Sequence, residues 1–321
     1  MVIENEILKI LLMSRDYVSG ASIAKSLGVS RATVNRAIKR LVSRGFIVDV
    51  HPRLGYRLAD LDDISHAYRY VEFVDTSLRY YIHYLDSCDS TQDVAHALAS
   101  SGAPEGTVVI AEELRRGRGR MGRQWIASRG GLWLSIILKP KHLRNMHLLS
   151  LASSVAVAKA IKSLLGIEAR VKWPNDVLVD EKKVAGILIE GVLEADQIRY
   201  IVLGVGVNVN NDLPSHLLDT ATTLKSVVGS DIPRIPLLIN IIKNIDIVYA
   251  KLRQGEGKEV LDEWRRLSST IGRRVKVITF SQEIEGIAED IEDDGALRIR
   301  TKENSISRVY VGDVIHLRNI A

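Results

Sequence analysis

The sequence is short of cysteine, of metal-ligand spacing and of long apolar runs, and each shortage removes a class of function. Its one cysteine, Cys88, has no mate for an internal bridge and no companions for a thiolate metal cluster, which fits a reducing, cytoplasmic setting. The eight histidines show no metal-ligand spacing, so no resident metal site is expected, and His51, His66 and His216 read as surface residues. Uninterrupted apolar stretches stay far below the ~18 residues of a membrane span, so no membrane partner is expected. No basic leader with an apolar core opens the chain, and secretion is not expected. No nucleophile triad and no internal repeat is evident. What is present is the balance of a soluble globular protein: 321 residues, 46% hydrophobic and 26% charged, enough for two or three domains with sizeable cores.

The net charge of +5 is unevenly placed. Of 44 basic and 39 acidic residues, ten and five fall in residues 1–60, which leaves 34 of each for residues 61–321. A small basic segment on a neutral body suggests a polyanion partner for that segment alone. Ile7, Leu8, Ile10, Leu11 and Leu12 recur at helical spacing, and Ser19-Gly20 breaks the run. Ile23, Ala24 and Leu27 give a second helix and Gly28 a turn. Ser30 stands to cap a third helix, with Val34, Ile38, Leu41 and Val42 inward. The other face of that helix carries Arg31, Thr33, Asn35, Arg36, Lys39 and Arg40 and no acid. Two short strands around His51–Gly55 complete a winged helix-turn-helix. The functional reading is DNA binding by Ser30, Arg31, Thr33, Asn35, Arg36, Lys39 and Arg40, with Arg53 and Arg57 on the DNA backbone. The plain alternative is a solvated basic helix in a small bundle.

Residues 62–80 read as a connecting helix or linker. Beyond them strands and helices mix: strands at Tyr81–Leu85, Val108–Ala111, Leu132–Leu138 and Ile198–Val209, and helices from Asp93 and over Leu148–Leu165. This predicts an α+β body, one mixed sheet with helices on one side. Three segments look chemical. Gly117-Arg118-Gly119-Arg120-Met121-Gly122-Arg123-Gln124-Trp125, preceded by Arg115-Arg116, joins glycine backbone that can approach phosphate oxygens to arginine forks that bind them. A nucleic-acid-binding or merely solvated loop is the alternative. Lys172-Trp173-Pro174-Asn175-Asp176 leads into a hairpin turning at Asp180-Glu181, and Lys183 then heads an apolar strand. Lys183 either aims its ammonium into a cleft or is an ordinary turn lysine. In Gly204-Val205-Gly206-Val207-Asn208, alternating glycine clears one strand face for a ligand or for close helix packing. Cys88 lies among Asp86, Ser87 and Asp89 with no fixed partner to activate it, so a nucleophilic role is not expected. From about Gly272, alternating residues and the turn Asp293-Asp294-Gly295 predict a small β domain.

In their order and spacing, the basic winged helix, Asp89-Ser90-Thr91, the Gly117–Arg123 loop with Trp125, Lys172–Asp176, Lys183–Leu188 and Gly204–Asn208 resemble the biotin protein ligases, specifically the bifunctional type that also represses the biotin operon. The resemblance covers essentially the whole chain. It implies a winged helix-turn-helix at 1–61, a mixed-sheet biotin/lipoate-ligase-like catalytic domain at 62–271 and an SH3-like β barrel at 272–321. It also implies a biotin set of Ser90, Thr91, Gln92, Leu114, Arg118, Gly119, Arg120, Lys183, Gly186, Gly204 and Gly206. The ATP set is Arg118, Arg120, Arg123, Trp125, Lys172, Asn175 and Asn208, and the catalytic set Lys183, Arg120 and Asp176. The implied substrates are ATP with Mg²⁺, biotin, and a lysine of a biotin carboxyl carrier protein. Operator DNA and a second copy of the chain are the other implied partners.

Two positions depart from the family pattern: Gln92 replaces an asparagine, and Leu114 a glutamine. They motivate one alternative, a ligand-sensing repressor without ligase activity. A lipoate or octanoate ligase on the same scaffold is another, against which the Lys172–Asp176 run argues.

Overall fold

The computed structural model describes residues 2–14, 16–140, 146–194, 197–279 and 282–317, which fall into two compact units. The first is Met1–Asp75 with Pro233–Ile239, and the second is Thr76–Ile232 with Asn240–Ala321.

In the first unit, α1 (Val2–Leu12), α2 (Gly20–Leu27) and α3 (Arg31–Ser43) are followed by the antiparallel pair β1 (Val48–His51) and β2 (Gly55–Leu58) and a single turn, α4 (Tyr68–Val71). Serine hydroxyls start both later helices: Ser19 accepts from the Ser22 amide and Ser30 from the Thr33 amide. Gly28 ends α2 at φ 64°, a left-handed turn that glycine adopts without strain. Ile7, Leu8, Ile23, Val34, Ile38 and Leu41 form the buried core. Val42 is a correction: expected inward, it is 48% exposed, because one residue beyond Leu41 turns about 100° away from the core. The segment from residue 62 to 75 is anchored rather than free, since Arg234 donates to Asp62 at 2.8 Å and Ile235 to the Leu61 carbonyl. The His66 imidazole stands 3.5 and 3.7 Å from the carboxylates of Asp60 and Asp63.

The second unit opens with β3 (Tyr81–Cys88), α5 (Thr91–Ser100), β4 (Thr107–Leu114), β5 (Leu132–Leu138), α6 (Met146–Leu165), β6 (Arg170–Lys172), β7 (Asp176–Val179), β8 (Lys182–Glu194) and β9 (Gln197–Val207). These strands form one sheet in the order β3-β4-β5-β9-β8-β7-β6. Only β3 and β4 run parallel, so the sheet is mixed, as expected. α6 is the one helix among the described residues long and apolar enough to cross a membrane, yet most of it is buried protein core. Its buried Ser153 and Ser154 return their hydroxyls to the Leu149 and Leu151 carbonyls, which removes the cost of burying them. α5 starts two residues before the expected Asp93 because Ser90 caps it.

Three helices follow: α7 (Leu224–Val228), α8 (Arg234–Arg253), of which the residues to Ile239 belong to the first unit, and α9 (Gly257–Leu267). The chain ends in a five-stranded antiparallel domain of SH3-like type: β10 (Arg274–Ile278), β11 (Glu283–Ile291), β12 (Leu297–Thr301), β13 (Ile306–Val309) and β14 (Asp313–His316). Its strands pair in the order β13-β12-β11-β10-β14, around buried Val275, Val277, Ala288, Leu297 and Ile299.

Candidate active site

A cavity of about 1040 Å³ opens over β8 and β9, and every residue assigned above to substrate binding or catalysis lines it. The glycines explain why it is open. A side chain on Gly206 would stand 2.9 Å from the Trp125 indole, and one on Gly186 would stand 3.0 Å from that ring and 3.2 Å from Lys183. One on Gly204 would stand 3.0 Å from the Gln92 amide oxygen. The bare strand face is therefore a floor with Trp125 and Gln92 at its margins, and helices do not fill it.

Cations are gathered above that floor. Lys183 leads β8, its amide donating to Thr220 O and its carbonyl accepting from Thr222 N, so its backbone is held on both sides. Its ammonium lies 2.6 Å from Asp176 Oδ1 and 5.1 Å from the centre of the Trp125 ring. Lys183 is thus a cleft residue, and Lys182 lines the same cavity while donating to the Leu218 carbonyl. Asp180 and Glu181 both take left-handed φ (49° and 61°), which is the tight hairpin turn that sets this register. Arg120 donates to Asn175 Oδ1 at 3.3 Å and to the Gly312 carbonyl at 3.4 Å. Burial pulls its guanidinium below the ordinary arginine value, against the opposing pull of Asp313 and Asp176. Lys172 is also lowered, first by burial and then by Lys183, while Asp176 resists. Crowded, partly desolvated cations of this kind are stabilised by an arriving polyanion.

The arginine loop is latched at two of its arginines. Arg123 pairs with Asp313 of β14. Arg118 donates to Asp93 at 2.5 Å and to Glu190 at 3.2 Å. Against the cost of burial, those two acids hold Arg118 above its ordinary value. Asn175 is buried and donates to the Ile187 carbonyl at 2.6 Å, and buried Asn208 receives Asn211 Nδ2 at 3.4 Å. Ser135 donates to Thr91 at 2.9 Å on the cavity wall, and Leu114 lies along the same wall. Cys88 is buried and burial pushes its thiol up, so it offers no thiolate.

The sequence reading missed four residues here. Glu190, Arg273, Asp313 and His316 carry no local motif and reach the site through long-range pairing. Arg273 forks onto Glu181 at 2.5 and 2.7 Å and approaches His316 Nδ1 at 3.4 Å. Burial, then Lys172 and Arg273, push His316 from an ordinary value near 6.5 to about 4. The folded state thus keeps it neutral. Its stabilising share is complete above about pH 6.5 and is lost as acid protonates the unfolded chain first. By pH 4 the loss reaches about 3 kcal/mol at most. Thermal unfolding between pH 7 and 4 is expected to show this slope, and His316→Asn to flatten it; an equally steep variant refutes the assignment.

On α3, Arg31, Arg36 and Lys39 are exposed, as is Arg53 in the wing, and none makes an ion pair among the described residues. Two of the cations expected on DNA form ion pairs within the protein. Arg40 lies 2.5 Å from buried Glu4, and Arg57 donates to Asp49 at 2.8 Å while stacking 4.7 Å from the Tyr17 ring. Asn35 donates to the Tyr56 hydroxyl at 3.2 Å.

Comparison with known proteins follows the same three segments. Residues 84–208 match the Biotin/lipoate A/B protein ligase family, residues 4–57 an HTH domain, and residues 270–317 the biotin protein ligase C-terminal domain. The bifunctional ligase/repressor BirA of Bacillus subtilis (strain 168) is 34% identical over 93% of this chain and 94% of its own. The bifunctional ligase/repressor BirA of Escherichia coli (strain K12) is 29% identical over 96% of this chain and 95% of its own. Among solved structures, the biotin protein ligase from Aquifex aeolicus in complex with biotin and ATP superposes with a TM-score of 0.66 at 32% identity, covering 74% of this chain and 99% of that one.

Proposed function

This chain belongs to the bifunctional ligase/repressor family of biotin protein ligases, and from that premise we propose that its cavity makes biotinyl-5′-AMP on the cations of the arginine loop and Lys183. The protein is a biotin–[acetyl-CoA-carboxylase] ligase that uses biotin and ATP, and a DNA-binding repressor. The observation that carries the mechanistic reading is one cavity joining Arg120, Lys172, Lys183, Asn175 and Asn208 to a glycine floor.

The first step brings a carboxylate against the α-phosphorus of ATP. Two anions must approach, so their charge is screened first. Lys183 and Arg120 supply that screening and stabilise the extra charge on the α-phosphoryl oxygens as the carboxylate oxygen bonds and pyrophosphate leaves. Mg²⁺ fits the donor chemistry, since the Asp176 and Asp313 carboxylates line the cavity and would be the residues to hold the ion, which would neutralise phosphate charge. The product is a mixed anhydride. Trp125 and the loop held by Arg118–Asp93 and Arg123–Asp313 keep water from it. The ε-amine of a carrier lysine then attacks the acyl carbon, and AMP leaves. Asp176, beside Lys183, orients that amine.

We further propose the working division: residues 1–61 bind operator DNA, 62–271 catalyse, and 272–321 close the ATP side through Asp313 and Arg273. Two copies would bind a palindromic operator, since paired half-sites need paired reading helices. The test is isotope exchange between pyrophosphate and ATP. Biotin-dependent exchange, followed by transfer of biotin to a carrier lysine, is expected. Exchange that is absent, or supported by lipoate rather than biotin, overturns the reading.

A further inference from the structure

Gln92 is the second residue of α5 and is only 4% exposed. Its side-chain amide has an acceptor end and a donor end, and the neighbours decide which faces inward. Nε2 lies 3.0 Å from Glu190 Oε2. A carboxylate accepts and does not donate, so the NH₂ group must face Glu190. The carbonyl oxygen then faces the glycine floor, 3.0 Å from where a side chain on Gly204 would begin. That oxygen is buried and accepts no hydrogen bond among the described residues. A buried acceptor left unmet is costly, and it marks a place that a ligand completes.

Glu190 is itself fixed. It receives Arg118 at 3.2 Å and faces His96 Nε2 at 3.3 Å. His96 is steadied in turn by the Tyr200 hydroxyl at 3.4 Å, and Tyr200 by Ser100 at 3.1 Å. One carboxylate on β8 thus ties together α5, the arginine loop and the neighbouring strand β9. The hydroxyls beside Gln92 have the opposite polarity. Thr91 Oγ1 already accepts from Ser135, and Ser90 Oγ accepts from the Gln92 amide nitrogen, so each has its own proton left to give.

We infer that Glu190 is a positioning residue for substrate choice: it locks the Gln92 amide with its oxygen toward the cavity, where it accepts an N–H from a cyclic urea. This inference rests on the ligase reading and extends it. A urea offers one carbonyl and two N–H groups, which complement the two hydroxyl donors and the one amide acceptor. A dithiolane or a plain alkyl end has no N–H to give and would leave the Gln92 oxygen unpaired. Sites built around a buried hydrogen bond reject ligands that lack it. Gln92 thereby supplies the amide that the family pattern places at position 114, where this chain has Leu114.

The experiment is a double-mutant cycle with Gln92→Met, Glu190→Gln and the pair, all on the full chain. Biotin affinity is read by calorimetry, and KM and kcat by biotin-dependent pyrophosphate exchange. Gln92→Met is expected to weaken biotin about tenfold to a hundredfold. Glu190→Gln is expected to raise the KM for biotin several-fold with kcat nearly unchanged, because the amide is free to turn. In the Gln92→Met background, Glu190→Gln should cost nothing more. Thermal unfolding confirms that each variant is folded, and Glu190→Asp serves as a partial rescue that keeps the carboxylate. Independent, additive losses would mean that Glu190 acts through Arg118 or the fold, and would overturn the inference while the wild-type exchange still stood. Wild-type protein without biotin-dependent exchange would overturn the ligase reading itself.

Discussion

Lys183→Met lowers biotin-dependent adenylation by about a hundredfold to a thousandfold, the usual cost of losing one preorganised stabiliser of transition-state charge. The size follows from the geometry. The ammonium is held at 2.6 Å from Asp176 and over the Trp125 ring, so it is in place before substrates arrive and needs no reorganisation. Methionine keeps the stem's packing beside Gly186 and removes only the charge. The fold should tolerate it, because the backbone of Lys183 is anchored independently by Thr220 and Thr222. Losing the partner of a partly exposed Asp176 costs on the order of 1 kcal/mol after solvent screening. The measurement is kcat for pyrophosphate exchange beside the thermal midpoint. A collapsed rate with a small thermal shift is expected, and an unchanged rate would place the amine away from the phosphorus.

The chemistry of this site was legible wherever it is local. Arg118, Arg120, Lys172, Asn175, Lys183, Gly204 and Gly206 stand in short runs whose residue types already argue for anion binding and a bare floor, and one cavity contains them all. The winged helix was legible for a similar reason, since Ser19, Ser30 and Gly28 punctuate it in sequence. Glu190 was not legible. On its strand it looks like any half-buried acid, and its meaning lies in what α5 and the loop bring to it. The same holds for Asp313 and Arg273, which reach Arg123 and Glu181 from the C-terminal domain. Arg40 and Arg57 show the converse. Their charge was counted for DNA, and the sequence alone gave no sign that Glu4 and Asp49 pair with it inside the unit. Composition sums charge without seeing its pairs. Helices α8 and α9 carry no chemical motif, and nothing in their residue types set them apart as functional.

That distinction between paired and unpaired charge sets the expected result for DNA. Replacing Arg31, Arg36 and Lys39 together by alanine should weaken operator binding far more than replacing Arg40 and Arg57. The first three are exposed on α3 without ion pairs among the described residues, so they are available to phosphates. Each phosphate-neutralising cation contributes about 0.9 to the slope of log affinity against log salt. In the proposed complex of two copies on one operator, the triple variant lacks three such cations in each copy, and affinity near physiological salt falls about a thousandfold. Arg40→Ala instead removes one partner of buried Glu4, whose carboxyl is held below the ordinary range chiefly by its own backbone amide, so its cost appears in unfolding of the small unit. Ligase turnover should be untouched in the triple variant, because every residue lining the catalytic cavity belongs to the second unit. Titrating operator DNA at several salt concentrations beside pyrophosphate exchange separates the two functions. An unchanged salt slope in the triple variant would mean that α3 does not face the phosphates, and the repressor's reading surface would have to be sought elsewhere in the unit.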